Sequence, residues 1–458
     1  MASAEALGAI FKAYDVRGIV PDELDEQAAY AIGVGFGRFL TEQGGAAPRL
    51  VVCRDMRSSG VGLAAALTAG AQQAGCTVTD LGLGSTDLLY FASGSLDAAG
   101  AMLTASHNPA DYNGMKLCLP GARPIGEDSG LFQVRDHALE ALAGAPAAAR
   151  PAVEPEHRDL LEAFAEHVRS FIDLGALRPL HVVADTANGM GGLVAPQVFN
   201  GLPFSLDVLY GELDGTFPNH PADPIQEANL VDLREAILRS GADVGLAFDG
   251  DADRVFLVDE LGVPLSGSLT TAIVAKAMLE KHSGATILYN CICSRTVREV
   301  IAENGGKGIR TRVGHSFIKG VMAESGAVFG GEHSGHYYFA DNYRADSGII
   351  AAMVLLELLC RSGTTLSELR RPFERYADSG EINSVVDDPQ GALAGVEAYA
   401  AANGAELDHL DGLTADYPTW WFNLRPSNTE PLLRLNVEAR TDAELERRVA
   451  EVLALVRG

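Results

Sequence analysis

Short apolar runs alternate with longer segments of helical periodicity along most of the chain. Residues 50–53, 77–81 and 98–103 read as strands, and helices are predicted over 23–39, 62–74, 87–92 and 128–142. A linker rich in Ala and Pro covers 143–155, and the alternation then starts again. Helices are predicted over 156–171 and 230–240, and strands over 180–184, 205–209, 244–248 and 255–258. A third round runs from about residue 262, with helices over 269–281, 295–304, 317–324 and 347–360 and strands over 286–290 and 327–329. Strands alternating with helices predict βαβ units and largely parallel sheets, whose active groups gather at the carboxyl ends of strands. The last stretch differs, with strands over 381–386, 420–424 and 432–439 and helices over 391–403 and 442–457. No residue-level repeat relates the three alternating units.

At 458 residues the chain exceeds what one hydrophobic core supports, and its length suggests about three or four domains. Hydrophobic residues make up 47% and charged residues 21%, as in an ordinary soluble globular protein. The formal charge of -26 argues against nucleic acid as a partner. It does not exclude an anionic substrate, because a local cluster of Arg, Lys and backbone N–H groups binds phosphate even on an acidic protein. Of the cysteines, Cys53, Cys76, Cys118 and Cys360 sit in apolar surroundings, and Cys291 and Cys293 form a C-x-C pair without a second pair at zinc-site spacing. That usage predicts a reducing compartment. The N-terminus shows no signal peptide, and the longest apolar stretch, 349–360, is interrupted by Glu357 and too short for a bilayer. The expected setting is the cytoplasm, without a membrane.

Several loops carry the chemistry. The run Thr104-Ala105-Ser106-His107-Asn108-Pro109 follows an apolar strand and leaves a serine hydroxyl beside an imidazole and an amide; a polar turn that satisfies its own backbone would use the same residues. Asp249, Asp251 and Asp253 alternate in a glycine-containing loop with Arg254, an arrangement suited to a hard divalent cation with a phosphate oxygen as further ligand. An EF-hand is a false match: Arg254 stands where that loop needs Gly, although Glu260 falls at its twelfth position. Arg425, Ser427, Asn428 and Thr429 offer a guanidinium, hydroxyls and an amide that can cradle a phosphate. Glu332, Ser334 and His336 alternate in a glycine-rich loop and, if it is extended, face one way with groups suited to sugar hydroxyls. Either His333 or His336 can act as acid or base near neutral pH. Lys12, Tyr14 and Arg17 lie close together before Pro21, and Asn113 to Lys116 follow the serine loop after a turn. Taken singly, His315, Lys116, Arg54, Lys12 and Arg17 read as surface or structural residues rather than ligands.

Together these loops resemble the α-D-phosphohexomutase family, in its order and with its spacing along the whole chain. The Thr104 to Pro109 loop resembles its phosphoserine loop, the Asp249 to Arg254 loop its metal loop, the Gly331 to His336 loop its sugar-binding loop, and the Arg425 to Pro431 loop its phosphate-binding loop. The resemblance implies four domains around a central cleft: three related α/β mixed-sheet domains and a C-terminal α+β domain like the TATA-binding protein. The expected boundaries are 1–153, 154–258, 259–372 and 373–458. It further implies a phosphoryl group on Ser106, Mg²⁺ held by Ser106, Asp249, Asp251 and Asp253, and transfer of phosphate between O6 and O1 of a hexose. A hexose 1,6-bisphosphate is then both intermediate and activator. His107, Lys116, Arg254 and His336 join Ser106 as expected catalytic residues. Tyr14, Arg17, His315, Glu332, His333, Ser334, His336, Arg425, Ser427, Asn428 and Thr429 are expected to bind a hexose phosphate, in a monomer or homodimer. The sequence Gly-Glu-His-Ser-Gly-His resembles phosphomannomutases and dual phosphomannomutase/phosphoglucomutases; glucosamine mutases usually carry Gln at the His333 position and Gly at the Asn428 position. Two departures stand out: Met56 replaces a frequent Gly, and the Cys291-Ile292-Cys293 segment lacks a lysine of some dual-specificity members, which argues against broad sugar tolerance. A phosphatase using the same serine, or a non-catalytic sugar-phosphate sensor, are the rival classes.

Overall fold

The computed structural model describes residues 3–44, 47–144, 153–426 and 432–458. They group into two compact units, 1–265 with 334–369, and 266–333 with 370–458.

The first unit contains two sheets among its described residues. In one, strands run in the order Val16–Ile19, Tyr112–Leu119, Ala99–Leu103, Arg49–Arg54, Thr77–Leu83 and Glu156–His157. Ala99–Leu103 and Thr77–Leu83 flank Arg49–Arg54 in parallel, as βαβ units require. Tyr112–Leu119 is antiparallel to Ala99–Leu103 and to Val16–Ile19, so the sheet is mixed rather than largely parallel. The serine loop is thus the short turn of a hairpin, too short for a parallel crossover. Along Tyr112–Leu119, Met115 and Leu117 enter the apolar core, so the alternation sends Lys116 to the opposite face.

The core on the other side is made by close-packed helices. Glu26–Glu42 starts at Asp25, whose carboxylate accepts from Ala28 N–H at 2.8 Å. Its glycines let two neighbours approach: a Cβ on Gly33 would stand 2.1 Å from Leu67 O of Gly60–Gln73, and one on Gly35 would stand 2.5 Å from Val134 O of Leu131–Ala143. Two predicted helices are shorter than expected. The helix predicted over 128–142 begins only at Leu131, because Gly130 turns the backbone to φ 123° after a 3₁₀ turn at Glu127–Ser129. The helix predicted over 156–171 runs over Leu161–Arg169; Glu156–His157 pairs instead with Thr79 and Asp80.

The second sheet has the order Pro264–Leu265, Val255–Asp259, Val244–Phe248, Leu180–Asp185 and Phe204–Leu209, the last three parallel. Phe248 pairs with Val255, so the residues between them form the turn of an antiparallel hairpin. The buried helix Gly348–Ser362 completes this unit.

In the second unit, Lys307–Thr311, Thr286–Asn290 and Phe329–Gly331 are parallel, in that order. A separate antiparallel sheet runs Ala377–Val385, Leu432–Ala439, Trp420–Pro426, Leu413–Asp416 and Glu406–Asp408. Helices Pro389–Ala402 and Asp442–Arg457 close its core through Val396, Ala400, Val452 and Val456, an α+β arrangement. Among the described residues no single helix is long and apolar enough to cross a membrane.

Candidate active site

The serine loop and the aspartate loop meet within the first unit. Ser106 leaves its strand with φ 49°, in the left-handed region, and its N–H donates to Thr104 Oγ1 at 2.9 Å. Its hydroxyl donates to Asp249 Oδ2 at 2.6 Å and accepts from Arg254 Nη2 at 2.9 Å. Close approach of the two backbones requires Gly250, because a Cβ there would lie 2.5 Å from Ser106 O. Asp249, Asp251 and Asp253 are all buried, and each offers a carboxylate oxygen within 4.8 Å of the others.

Two cations face these carboxylates. Lys116 Nζ donates to Asp251 Oδ2 at 2.7 Å and to Asp253 Oδ2 at 2.5 Å. Arg254 Nε donates to Asp249 Oδ2 at 2.9 Å. Burial opposes ionisation of Asp251, but the Lys116 ammonium and the hydrogen bonds from Lys116 and Thr86 outweigh it and hold the group well below the usual carboxylate range. At Asp249 burial wins over Arg254, and with the neighbouring carboxylates it pushes the acid up to about 8. Burial works against the charge on Lys116, yet Asp251 and Asp253 keep its ammonium protonated far above neutrality. The charge of Arg254, reinforced by burial, holds the His107 imidazole well below its usual pKa, so His107 is neutral at pH 7. Its Nδ1 lies 3.4 Å from Ser106 Oγ.

The donor set suits a hard divalent cation. Asp251 Oδ1 and Asp253 Oδ1 are buried without a hydrogen-bond partner, and carboxylate oxygens are the ligands such an ion takes. With Asp249 ionised, as it would be on binding a cation, three carboxylates against one ammonium and one guanidinium leave an excess negative charge, and a phosphoserine would add roughly -1.5 to -2 more. Glu260 plays no part here: it accepts from the backbone N–H and hydroxyl of Ser367, and the EF-hand match fails in the structure as well.

The remaining first-unit residues are placed as follows. Arg17 Nη1 donates to Asn108 Oδ1 at 2.6 Å and its other arm pairs with Asp15, so Arg17 reaches the serine loop. Tyr14 is half-buried just before that strand. Lys12 bonds Ala9 O instead. His336 Nε2 lies 3.6 Å from Asp253 and 3.9 Å from Asp346, and its Nδ1 is 3.1 Å from Ser334 Oγ. The loop is not extended: His333 and Ser334 form a turn and Gly335 has φ 86°.

In the second unit, Glu332 is 1% exposed and accepts from Asn290 Nδ2 at 3.2 Å and Gly314 N–H at 3.1 Å. His333 Nδ1 lies 2.9 Å from Ser268 Oγ, and burial lowers its pKa. A small cavity there is lined by Ser268, His333, Asp378, Asn436 and Glu438. Arg425 Nη2 donates to Glu381 at 2.6 Å and Nη1 to Asn436 at 3.4 Å. His315 opens helix His315–Ser325 and its side chain lies outside the described residues, as do Ser427, Asn428 and Thr429. Cys291 and Cys293 are buried and free.

Three groups of the first-unit site were missed in the sequence. Thr86 Oγ1 donates to Asp251 Oδ2 at 2.5 Å, and its N–H donates to Asp251 O at 3.1 Å. Asp87, fully buried, accepts from Ser85 and from Ser347 Oγ at 2.6 Å, and burial pushes its acid up to about 7. Arg57 lies under the serine loop. The only signal was Ser85-Thr86-Asp87 as a helix start, which reads as capping.

Comparison with known proteins agrees with this arrangement. Four phosphoglucomutase/phosphomannomutase domain families match: α/β/α domain I at residues 8–139, domain II at 162–262, domain III at 266–376 and the C-terminal domain at 381–455. The chain is 42% identical to a phosphohexose mutase of Xanthomonas campestris pv. campestris (strain B100), covering 98% of this chain and 99% of that one. It is 40% identical to a phosphomannomutase of Salmonella montevideo, covering 97% and 98%. A crystal structure of a phosphoglucomutase/phosphomannomutase family protein from Burkholderia thailandensis superposes with a TM-score of 0.89 at 33% identity, covering 100% and 98%. This chain therefore belongs to the α-D-phosphohexomutase family, phosphomannomutase type, with the family's four-domain α/β architecture, and is an enzyme of the mutase class.

Proposed function

We propose that this enzyme interconverts mannose 6-phosphate and mannose 1-phosphate through a phosphoserine at Ser106 and a hexose 1,6-bisphosphate, with Mg²⁺ at Asp249, Asp251 and Asp253. The observation that carries the reading is the 2.6 Å contact between the Ser106 hydroxyl and Asp249, inside a buried cluster of carboxylates flanked by Lys116 and Arg254. Phosphoryl transfer needs alignment and charge stabilisation more than covalent help. Arg254 donates to the serine oxygen, so it stabilises charge on that oxygen when the Ser106–phosphorus bond breaks. A sugar hydroxyl forms the new bond to phosphorus and gives up its proton, for which His336 is the candidate acceptor, while Lys116, kept as an ammonium by Asp251 and Asp253, is the candidate proton donor. The bisphosphate then presents its other phosphate, and the serine takes it back by the reverse step. Bound at the three carboxylates, the divalent ion supplies positive charge that offsets the phosphoryl oxygens. Glu332 and Ser334 match sugar hydroxyls, and Arg425 is a fork for the phosphate that does not react. His333, held by Ser268, supports the sugar loop rather than acting as an acid or base. The family description names glucose as well as mannose phosphates, so glucose phosphates are the second substrate to test. The six free, buried cysteines go with a reducing, cytoplasmic setting.

The test is a coupled assay with mannose 1-phosphate, Mg²⁺ and a trace of hexose 1,6-bisphosphate, run beside glucose and glucosamine phosphates. Ser106→Ala should lower turnover by orders of magnitude, and near-parental activity in that variant removes the serine from the mechanism. Release of inorganic phosphate faster than isomerisation would select a phosphatase instead.

A further inference from the structure

Arg57 has no role in the readings above, yet it is the largest fully buried side chain among the described residues, at 1% exposure. A guanidinium has five N–H donors, and here each finds its own acceptor. Nε reaches Asp55 Oδ2 at 3.3 Å. Nη2 donates to the carbonyls of Ser106 at 2.9 Å and Asn108 at 2.6 Å. Nη1 donates to those of Pro109 at 2.6 Å and Tyr112 at 2.9 Å. Four of the five bonds therefore go to the backbone of one loop. The backbone of Arg57 is itself anchored, its N–H donating to Asp55 Oδ1 at 2.9 Å. The ring of Phe217 covers the guanidinium, with its centroid 5.0 Å from Cζ.

Without this donor the buried Ser106 carbonyl would lose its guanidinium partner, and the part-buried carbonyls of Asn108, Pro109 and Tyr112 would each lose one bond. The loop also holds Ser106 at φ 49°, a conformation a serine keeps only where its surroundings impose it. The carbonyl that Arg57 grips on Ser106 is the one that abuts Gly250 of the aspartate loop. We propose that Arg57 is a positioning residue for phosphoryl transfer: it sets the backbone of the serine loop from below, so that Ser106 Oγ stands at Asp249 and Arg254. The proposal rests on Ser106 being the phosphoryl carrier.

Arg57→Lys tests it, because lysine keeps the charge beside Asp55 but brings three donors for five. Two readouts are taken: amide hydrogen exchange of the ligand-free protein, and kcat and KM with the hexose phosphate. Amides of the serine loop should exchange about 10-fold faster or more, while those of strand Arg49–Arg54 keep their protection. The kcat should fall about 10²-fold, the scale expected of a small misplacement of a reacting group, with KM within about 3-fold. A parental kcat, a KM that rises as far as kcat falls, or unchanged loop exchange overturns the proposal. If Arg57→Lys does not fold, Phe217→Leu decides: it removes the ring that holds the guanidinium in place, so Arg57 loosens its grip on the loop carbonyls, loop amides exchange faster and kcat falls by about 3- to 10-fold at constant KM. Parental kcat in that variant counts against Arg57. Lack of mutase activity in the parent would sink the reading of Ser106 alone, and the exchange measurement would still decide whether Arg57 orders the loop.

Discussion

Replacing Thr86 by valine removes one hydroxyl of the buried cluster and keeps the side-chain volume. That hydroxyl donates to Asp251 Oδ2 at 2.5 Å, the same oxygen that Lys116 holds at 2.7 Å. Its loss leaves Asp251 with one side-chain anchor and frees the carboxylate to turn. A hydrogen bond to a charged group contributes about 1.5–3 kcal/mol. Outer-shell partners of this kind change metal affinity by about 10- to 100-fold when removed, which is about 1.4–2.7 kcal/mol and agrees with the first figure. In the coupled assay, the Mg²⁺ concentration giving half-maximal rate should therefore rise about 10- to 100-fold in Thr86→Val. At saturating Mg²⁺ most of kcat should return, and Thr86→Ser, which keeps the hydroxyl, should behave nearly as the parent. An unchanged Mg²⁺ dependence accompanied only by lower thermal stability would refute the argument, and would make Thr86 a support for helix Thr86–Ser95 alone.

Two further variants probe other parts of the molecule. Asp87 is pushed from 3.8 to about 7 by burial, so the folded protein holds its proton more tightly than the unfolded chain, and stability must fall as pH rises from about 4 to about 7. Asp87→Asn removes that slope: relative to the parent, denaturant-derived stability of the variant should improve by up to about 4 kcal/mol between those pH values, and parallel profiles would refute the assignment. Arg425→Lys exchanges a planar fork for a point charge at a group 6% exposed and held by Glu381 and Asn436. The KM for hexose phosphate should rise about 10- to 100-fold, one charge-assisted hydrogen bond's worth, and an unchanged KM would mean that Arg425 does not meet the substrate phosphate.

Side-chain chemistry was legible locally and assembly was not. The order of strands and helices follows from periodicity, because each element's core-facing residues repeat at its own period. Ser106 and the three aspartates could be named because each group stands in a short loop at a strand end, where backbone geometry over a few residues decides what is presented. Tyr112–Leu119 could not be placed as an antiparallel insertion, since strand order depends on partners far along the chain. Arg57 and Thr86 looked ordinary for the same reason. Arg57 meets loop carbonyls 49 to 55 residues away, and Thr86 meets a carboxylate 165 residues away. Both are buried polar groups whose partners only the folded backbone supplies. Composition and local pattern thus determined which chemical groups the loops carry. The tertiary structure decided that a hydroxyl and a carboxylate 143 residues apart share one hydrogen bond, because only packing of the two sheets within one unit brings those hairpin turns to the same place.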